Sequence, residues 1–129
     1  MSKETVKKWL LLADGDLKTA KDEFDTENPV TNTICFHAQQ CVEKYLKAFL
    51  TFVQEPFGKT HDIAHLIELC KRHDSTFENL YSLKAHKLTR YAVIIRYPDE
   101  FYVPSMQEAK HSIEIAEEVK NFVSKKMKF

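Results

Sequence analysis

The sequence predicts a single all-α domain spanning residues 1–129, an up-and-down bundle of four long helices with one short helix lying across an end. Three observations predict it. Two glycines and four prolines interrupt the 129 residues, too few turn-formers for a strand-rich fold. The stretches between them are rich in Lys, Glu, Leu and Ala, which lose little freedom in a helix. Apolar residues return every three or four positions, the spacing that gathers them on one helix face. A chain of this length removes roughly two-thirds of its unfolded surface from water without a metal or disulfide.

The first helix is expected from about Ser2 to Phe24, with Val6, Trp9, Leu10, Ala13, Leu17, Ala20 and Phe24 forming one stripe. The segment DTENPV ends it, and Thr31 or Asn32 is placed to cap the next helix. That second helix, about Thr31 to Gln54, carries two adjacent apolar stripes, Ile34-Ala38-Cys41-Tyr45-Ala48-Phe52 and Cys35-Val42-Leu46-Phe49-Val53. So wide an apolar arc requires more than one neighbour, which makes this the central helix. Its remaining strip, His37, Gln40, Lys44, Lys47 and Thr51, is expected to face solvent or a partner, and Glu43/Lys47 reads as an i, i+4 pair worth a few tenths of a kcal/mol.

After the loop EPFGKT, a short third helix is expected over about His61 to His73, with Thr60 as cap and Ile63, Leu66, Ile67 and Cys70 inward. Ser75 followed by Glu78 reads as a capping box opening a fourth helix, about Thr76 to Arg96, with a seam of Phe77, Tyr81, Ala85, Leu88, Ala92 and Ile95. Pro98 stops it, because the residue before a proline is pushed out of the α region. Ser105 and Glu108 make a second capping box, and a fifth helix follows with Met106, Ala109, Ile113, Ala116 and Val123 inward. Its acids come early and Lys120, Lys125, Lys126 and Lys128 late, which suits the helix dipole.

The formal net charge is zero, which removes the simplest argument for a nucleic-acid binder. The charge is nevertheless polarised. Residues 84–96 carry Lys84, Lys87, Arg90 and Arg96 with no acid, whereas residues 97–118 hold six acids against Lys110. Three cysteines without CxxC or Cys/His ligand spacing read as small buried apolar groups in a reducing compartment. The apolar run Trp9–Ala13 is too short for a signal peptide or anchor, so a cytoplasmic protein with no membrane association is expected.

The candidate chemistry is sparse. His61 and His65 stand at i, i+4, but no HExxH glutamate or third ligand accompanies them, so neither a metal nor another cofactor is implied. Lys59, Thr60 and Asp62 sit at a helix start, where free N–H groups suit an anion; the plainer role of Asp62 is to satisfy those same groups. Arg96, Tyr97 and Asp99 form either a terminal cap or a recognition cluster with planar donors suited to phosphate. Tyr97 and Tyr102 are suited to stacking on a base or to plugging a turn. No nucleophile triad, glycine-rich phosphate loop or coupled carboxylate pair is present.

Three segments together carry a resemblance: FHAQQCVEKYLKAFL (residues 36–50), KTHDIAHLIELC (59–70), and Tyr91 with RYPD (96–99). In this order and on this helical frame the chain resembles the HEPN domain in its short stand-alone prokaryotic form, over nearly its whole length. The resemblance implies a helical bundle, a homodimer, binding of a nucleotide or RNA, and a minimal nucleotidyltransferase as protein partner in a two-gene toxin–antitoxin-like system. Through the motif positions present it marks Lys59, His61, Asp62, Arg96, Tyr97 and Asp99 as nucleotide- or anion-binding candidates, with His86 and Arg90 secondary. HEPN members that cleave RNA without metal use an Arg followed, after four to six residues, by a His. Here the positions at that reach are Ile95, Arg96 and Tyr97 after Arg90, and Phe101, Tyr102 and Val103 after Arg96. The missing histidine argues against an enzyme. Two alternatives stand beside the binding reading: an RNase toxin using His86 or Tyr97 as acid or base with Arg90 or Arg96 on the phosphorane, and a purely structural homodimeric module.

Overall fold

The computed structural model describes residues 3–94, 99 and 102–128. Its α-helices are α1 (Lys3–Phe24), α2 (Thr31–Phe52), α3 (Ile63–Lys71), α4 (Asn79–Ser82), α5 (Arg90–Ile94) and α6 (Met106–Ser124), with 3-10 segments at Ser75–Glu78 and Ala85–Thr89. Among the described residues there is no strand, and no helix is long and apolar enough to cross a membrane.

Helix α2 is the axis. Fourteen of its 22 residues are buried, so it is enclosed on nearly every side, as two adjacent apolar stripes require. Helix α1 lies antiparallel to it, with Asp16 reaching His37 and Lys44 while Trp9, further back, lies against Lys47. Helix α6 runs parallel to α2, its start marked by Ser112 beside Cys35 and its end by Phe122 in the Phe49–Phe77 cluster. Val6, Ala13, Leu17 and Ala20 of α1 and Ala109, Ile113, Ala116 and Val123 of α6 are buried as the seams anticipate. Trp9, Leu10 and Phe24 are only half-buried, Met106 is 43% exposed, and Asp16, Ser112, Ile115 and Val119 are buried outside the expected stripes. All three cysteines are free and buried.

The expected fourth long helix is instead a broken run. Phe77, Ala85 and Leu88 are buried as the seam requires, but Lys84 adopts a left-handed backbone with φ +62° and redirects the chain. The tertiary gain is local: the Thr89 hydroxyl accepts from the Ile63 N–H at 3.0 Å, satisfying a first-turn donor of α3 that has no partner within its own helix. Three long helices and a segmented wall therefore replace the expected set of four. Pro98, the expected stop, lies outside the described residues.

Three caps differ from expectation. Val30, not Thr31 or Asn32, occupies the position before α2, and its N–H donates to Glu23 Oε2 at 2.9 Å. Asp62 rather than Thr60 caps α3, accepting from the His65 N–H at 3.4 Å, while Thr60 Oγ1 accepts from the Asp62 N–H at 3.1 Å. Asp74 rather than Ser75 opens the 3-10 turn, accepting from the Thr76 N–H at 2.9 Å. At the last two a neighbouring aspartate supplies the acceptor, whereas α2 starts without a side-chain cap.

Helix α2 ends in a Schellman arrangement: the Gln54 N–H donates to Thr51 O at 3.2 Å and the Glu55 N–H to Leu50 O at 2.8 Å. Gln54 has φ +62°, a conformation that costs a residue with a side chain about 1–2 kcal/mol. Gln54→Gly is therefore expected to raise stability by about 1 kcal/mol and the melting temperature by a few degrees in a thermal denaturation.

Candidate nucleotide-binding cleft

The broken fourth segment opens a narrow cleft of about 110 Å³ against α6. Lys84, Lys87 and Arg90 line one wall, Glu108, His111 and Ser112 the other, and Leu88, Tyr91 and Ile115 the rest. Lys84 and Lys87 are exposed, and no described carboxylate lies within ion-pair distance of either. The acid-free stretch visible in the sequence thus becomes a cationic lip.

Arg90 is positioned by aromatic rings. Its guanidinium carbon lies 5.5 Å from the Tyr91 ring centroid and 5.0 Å from that of Tyr102. Both phenols are fixed by one carboxylate: Tyr102 donates to Glu108 Oε1 at 2.6 Å and Tyr91 donates to Glu108 Oε2. Ser105 caps α6 as anticipated, accepting from the Glu108 N–H at 3.0 Å, but the Glu108 side chain turns to the tyrosines. Burial alone would raise the Glu108 carboxyl; the Tyr102 and Tyr91 hydroxyls and the Arg90 charge outweigh it and hold the group below its ordinary range. Burial and the Glu108 acceptor push the Tyr91 phenol up, so it stays a donor. Beneath it Ser112 Oγ lies 3.6 Å from Cys35 Sγ, whose thiol burial also raises.

His111 went unrecognised in the sequence, twenty-one positions beyond Arg90 and on another helix. Its ring is 62% exposed, with Nδ1 3.8 Å from Glu114 Oε1. From His111 the cleft widens into a groove of about 630 Å³ between Ser82–Lys84 and α6, where Glu114, Glu117 and Glu118 make the far wall acidic. The cleft is cationic at the Arg90 end only.

The residues singled out in the sequence have separate fates. Arg90 is in the cleft. Arg96 and Tyr97 lie outside the described residues, and Asp99 is exposed. His86 sits half-buried, its ring 5.0 Å from that of Tyr81 and its Nδ1 buried without a hydrogen-bond partner among the described residues. Lys59 is exposed, with no ion pair to a described residue. Asp62 is committed to the α3 cap. The 59–63 segment meets the fourth segment through the Ile63–Thr89 bond.

His61 belongs to a second polar cluster that the sequence hid. Its Nδ1 lies 2.9 Å from Glu43 Oε1, which also accepts from Gln39 Nε2 at 2.9 Å, while Glu43 Oε2 accepts from Lys47 Nζ at 2.9 Å. Gln39, Glu43 and Lys47, on successive turns of α2, are all buried. Burial by itself would raise the Glu43 carboxyl, but bonds from Lys47, His61 and Gln39 hold it below its ordinary value. The polar strip of α2 is thus half-buried and bonded within the protein, with Lys47 alone fully inside: Lys47 binds Glu43, His37 and Lys44 bind Asp16 at 2.8 and 2.6 Å, Gln40 donates to Gln39, and Thr51 Oγ1 donates to Lys47 O.

Comparison with known proteins gives a consistent picture. The model of the HEPN domain family matches residues 6–127. The crystal structure of an archaeal HEPN homologue is similar over 99% of this chain and 100% of its own, with 25% identity and a TM-score of 0.76. No curated protein matches the sequence.

Proposed function

Because the chain belongs to the HEPN domain family, we propose that it binds a nucleotide or RNA through phosphate held in the cleft between residues 84–91 and α6. One observation carries this reading: Lys84, Lys87 and Arg90 converge on one opening without a carboxylate ion-paired to them among the described residues, and the acid in its lining, Glu108, is engaged by two tyrosines. A fixed guanidinium beside flexible ammonium groups suits a phosphate, since Arg supplies directed paired donors and Lys mobile charge. Calorimetric titration with nucleoside triphosphates and with short RNA tests it. Arg90→Ala is expected to weaken binding about tenfold, the worth of a charge-assisted bond, and affinity should fall as salt rises. Equal affinity of wild type and Arg90→Ala would refute the assignment.

Family membership also supports a minimal nucleotidyltransferase as protein partner, in a two-gene toxin–antitoxin-like pair, and a homodimer as the assembled form. The large apolar side chains exposed on α1 for such contacts are Leu11 and Leu12, 73% and 53% exposed. A second reading, a metal-independent ribonuclease, is favoured by one specific observation: His111 lines the same cleft as Arg90. The imidazole would take the ribose 2′-hydroxyl proton as that oxygen attacks phosphorus, and Arg90 would neutralise the phosphorane. The P–O5′ bond would then break to leave a 2′,3′-cyclic phosphate and a 5′-oxygen that takes a proton from the imidazolium or water. Cleavage of labelled RNA in chelator, lost in His111→Ala, supports this reading. RNA that stays intact at saturating protein refutes it.

A further inference from the structure

We propose that the ligand of this corner is single-stranded RNA, with Tyr102 as the platform for an unpaired base; this rests on the phosphate-binding reading above. Tyr102 is built as a fixed surface. The residue is 39% exposed, its hydroxyl is held by Glu108 at 2.6 Å, and the Arg90 guanidinium lies 5.0 Å from its ring centroid. A phenol tied at its tip and flanked by a guanidinium presents a preset aromatic surface, so stacking costs little ordering of the side chain.

The surroundings select among nucleic acids. Val103, next in the chain, and Met106, the first residue of α6, are 59% and 43% exposed, apolar area that phosphate alone does not use. On the other side Arg90 leads to Lys87 and the cationic lip. Apolar and aromatic area beside cations with no ion pair among the described residues matches a strand whose bases are splayed from its phosphates. A duplex offers phosphates and shape but keeps its bases stacked internally, and so leaves the Tyr102 side of the corner unused.

Fluorescence anisotropy with a labelled single-stranded RNA, and with the same strand paired into a duplex, tests the proposal. The single strand is expected to bind more tightly. Tyr102→Ala should lose roughly tenfold, within the range measured for one stacked base, while Tyr102→Phe keeps most of the affinity. Because the ring is partly exposed, both variants should melt close to wild type, which separates lost stacking from lost fold. Equal binding of strand and duplex, or a Tyr102→Ala protein that binds like wild type, overturns the base platform. If Arg90→Ala weakens binding in that same experiment while Tyr102→Ala does not, the phosphate cleft still stands. A wild-type protein that binds neither RNA nor nucleotide overturns both.

Discussion

Glu43→Leu is expected to lower the unfolding free energy by about 3–5 kcal/mol, the cost of leaving buried polar partners without their counter-charge. The Glu43 and Lys47 side chains are only 4% and 8% exposed, and the carboxylate is the hub that Gln39, Lys47 and His61 all donate to. Removing the hub strands an ammonium group under the Trp9 and Phe57 rings, each 5.7 Å away, where cation–π attraction offsets only part of the loss. Glu43→Leu with Lys47→Met should regain most of it, since an apolar pair of similar volume needs no desolvated charge. Urea denaturation of the two variants checks both statements. The pH dependence has a fixed sign. A carboxyl held below its ordinary value of 4.5 gives its full stability above that pH and loses it as pH falls through the lowered value. Wild type should therefore lose stability in acid along a limb that Glu43→Leu lacks.

Phe77→Ala should cost a similar amount, about 3–5 kcal/mol, for a different reason. The ring is fully buried, its centroid 4.5 Å from that of Phe49 and 5.1 Å from that of Phe122. It joins the central helix, the segmented wall and the end of α6, so its loss opens a cavity that three elements would have to collapse together to fill. Against a typical total of about 5–15 kcal/mol this is a large share, and the denaturation midpoint should move accordingly without a comparable change in slope.

The long helices were legible because burial along them is periodic. Val6, Ala13, Leu17 and Ala20 on α1, and Ala109, Ile113, Ala116 and Val123 on α6, read directly as core. The break at Lys84 was not legible: no glycine or proline marks it, and the Phe77-to-Ala92 seam fits one continuous helix. The Ile63 N–H that donates to Thr89 is one contact the break makes possible, and it joins residues 26 apart in the chain. Periodicity places residues on faces without saying what lies opposite. Hence Glu43/Lys47 read as a surface pair and is a buried one, and Glu108 read as half of a capping box while its carboxylate serves Tyr91 and Tyr102.

The candidate site was half visible for the same reason. The acid-free run from Lys84 to Arg90 showed one wall, because charge composition is a local property of sequence. His111 showed nothing, because it becomes relevant only when α6 is laid across that wall. A search for histidine four to six residues after an arginine tests closeness along the chain, and here the pairing is through space.

The central claim is that the ligand enters between the 84–91 wall and α6. Amide chemical-shift mapping of isotope-labelled protein titrated with a ribonucleotide tests it most directly. The account predicts the largest shifts at Lys84–Tyr91 and Glu108–Ser112, with Asp14–Leu17 on the far side of α2 unmoved. Shifts centred elsewhere, or none at saturating ligand, would contradict it.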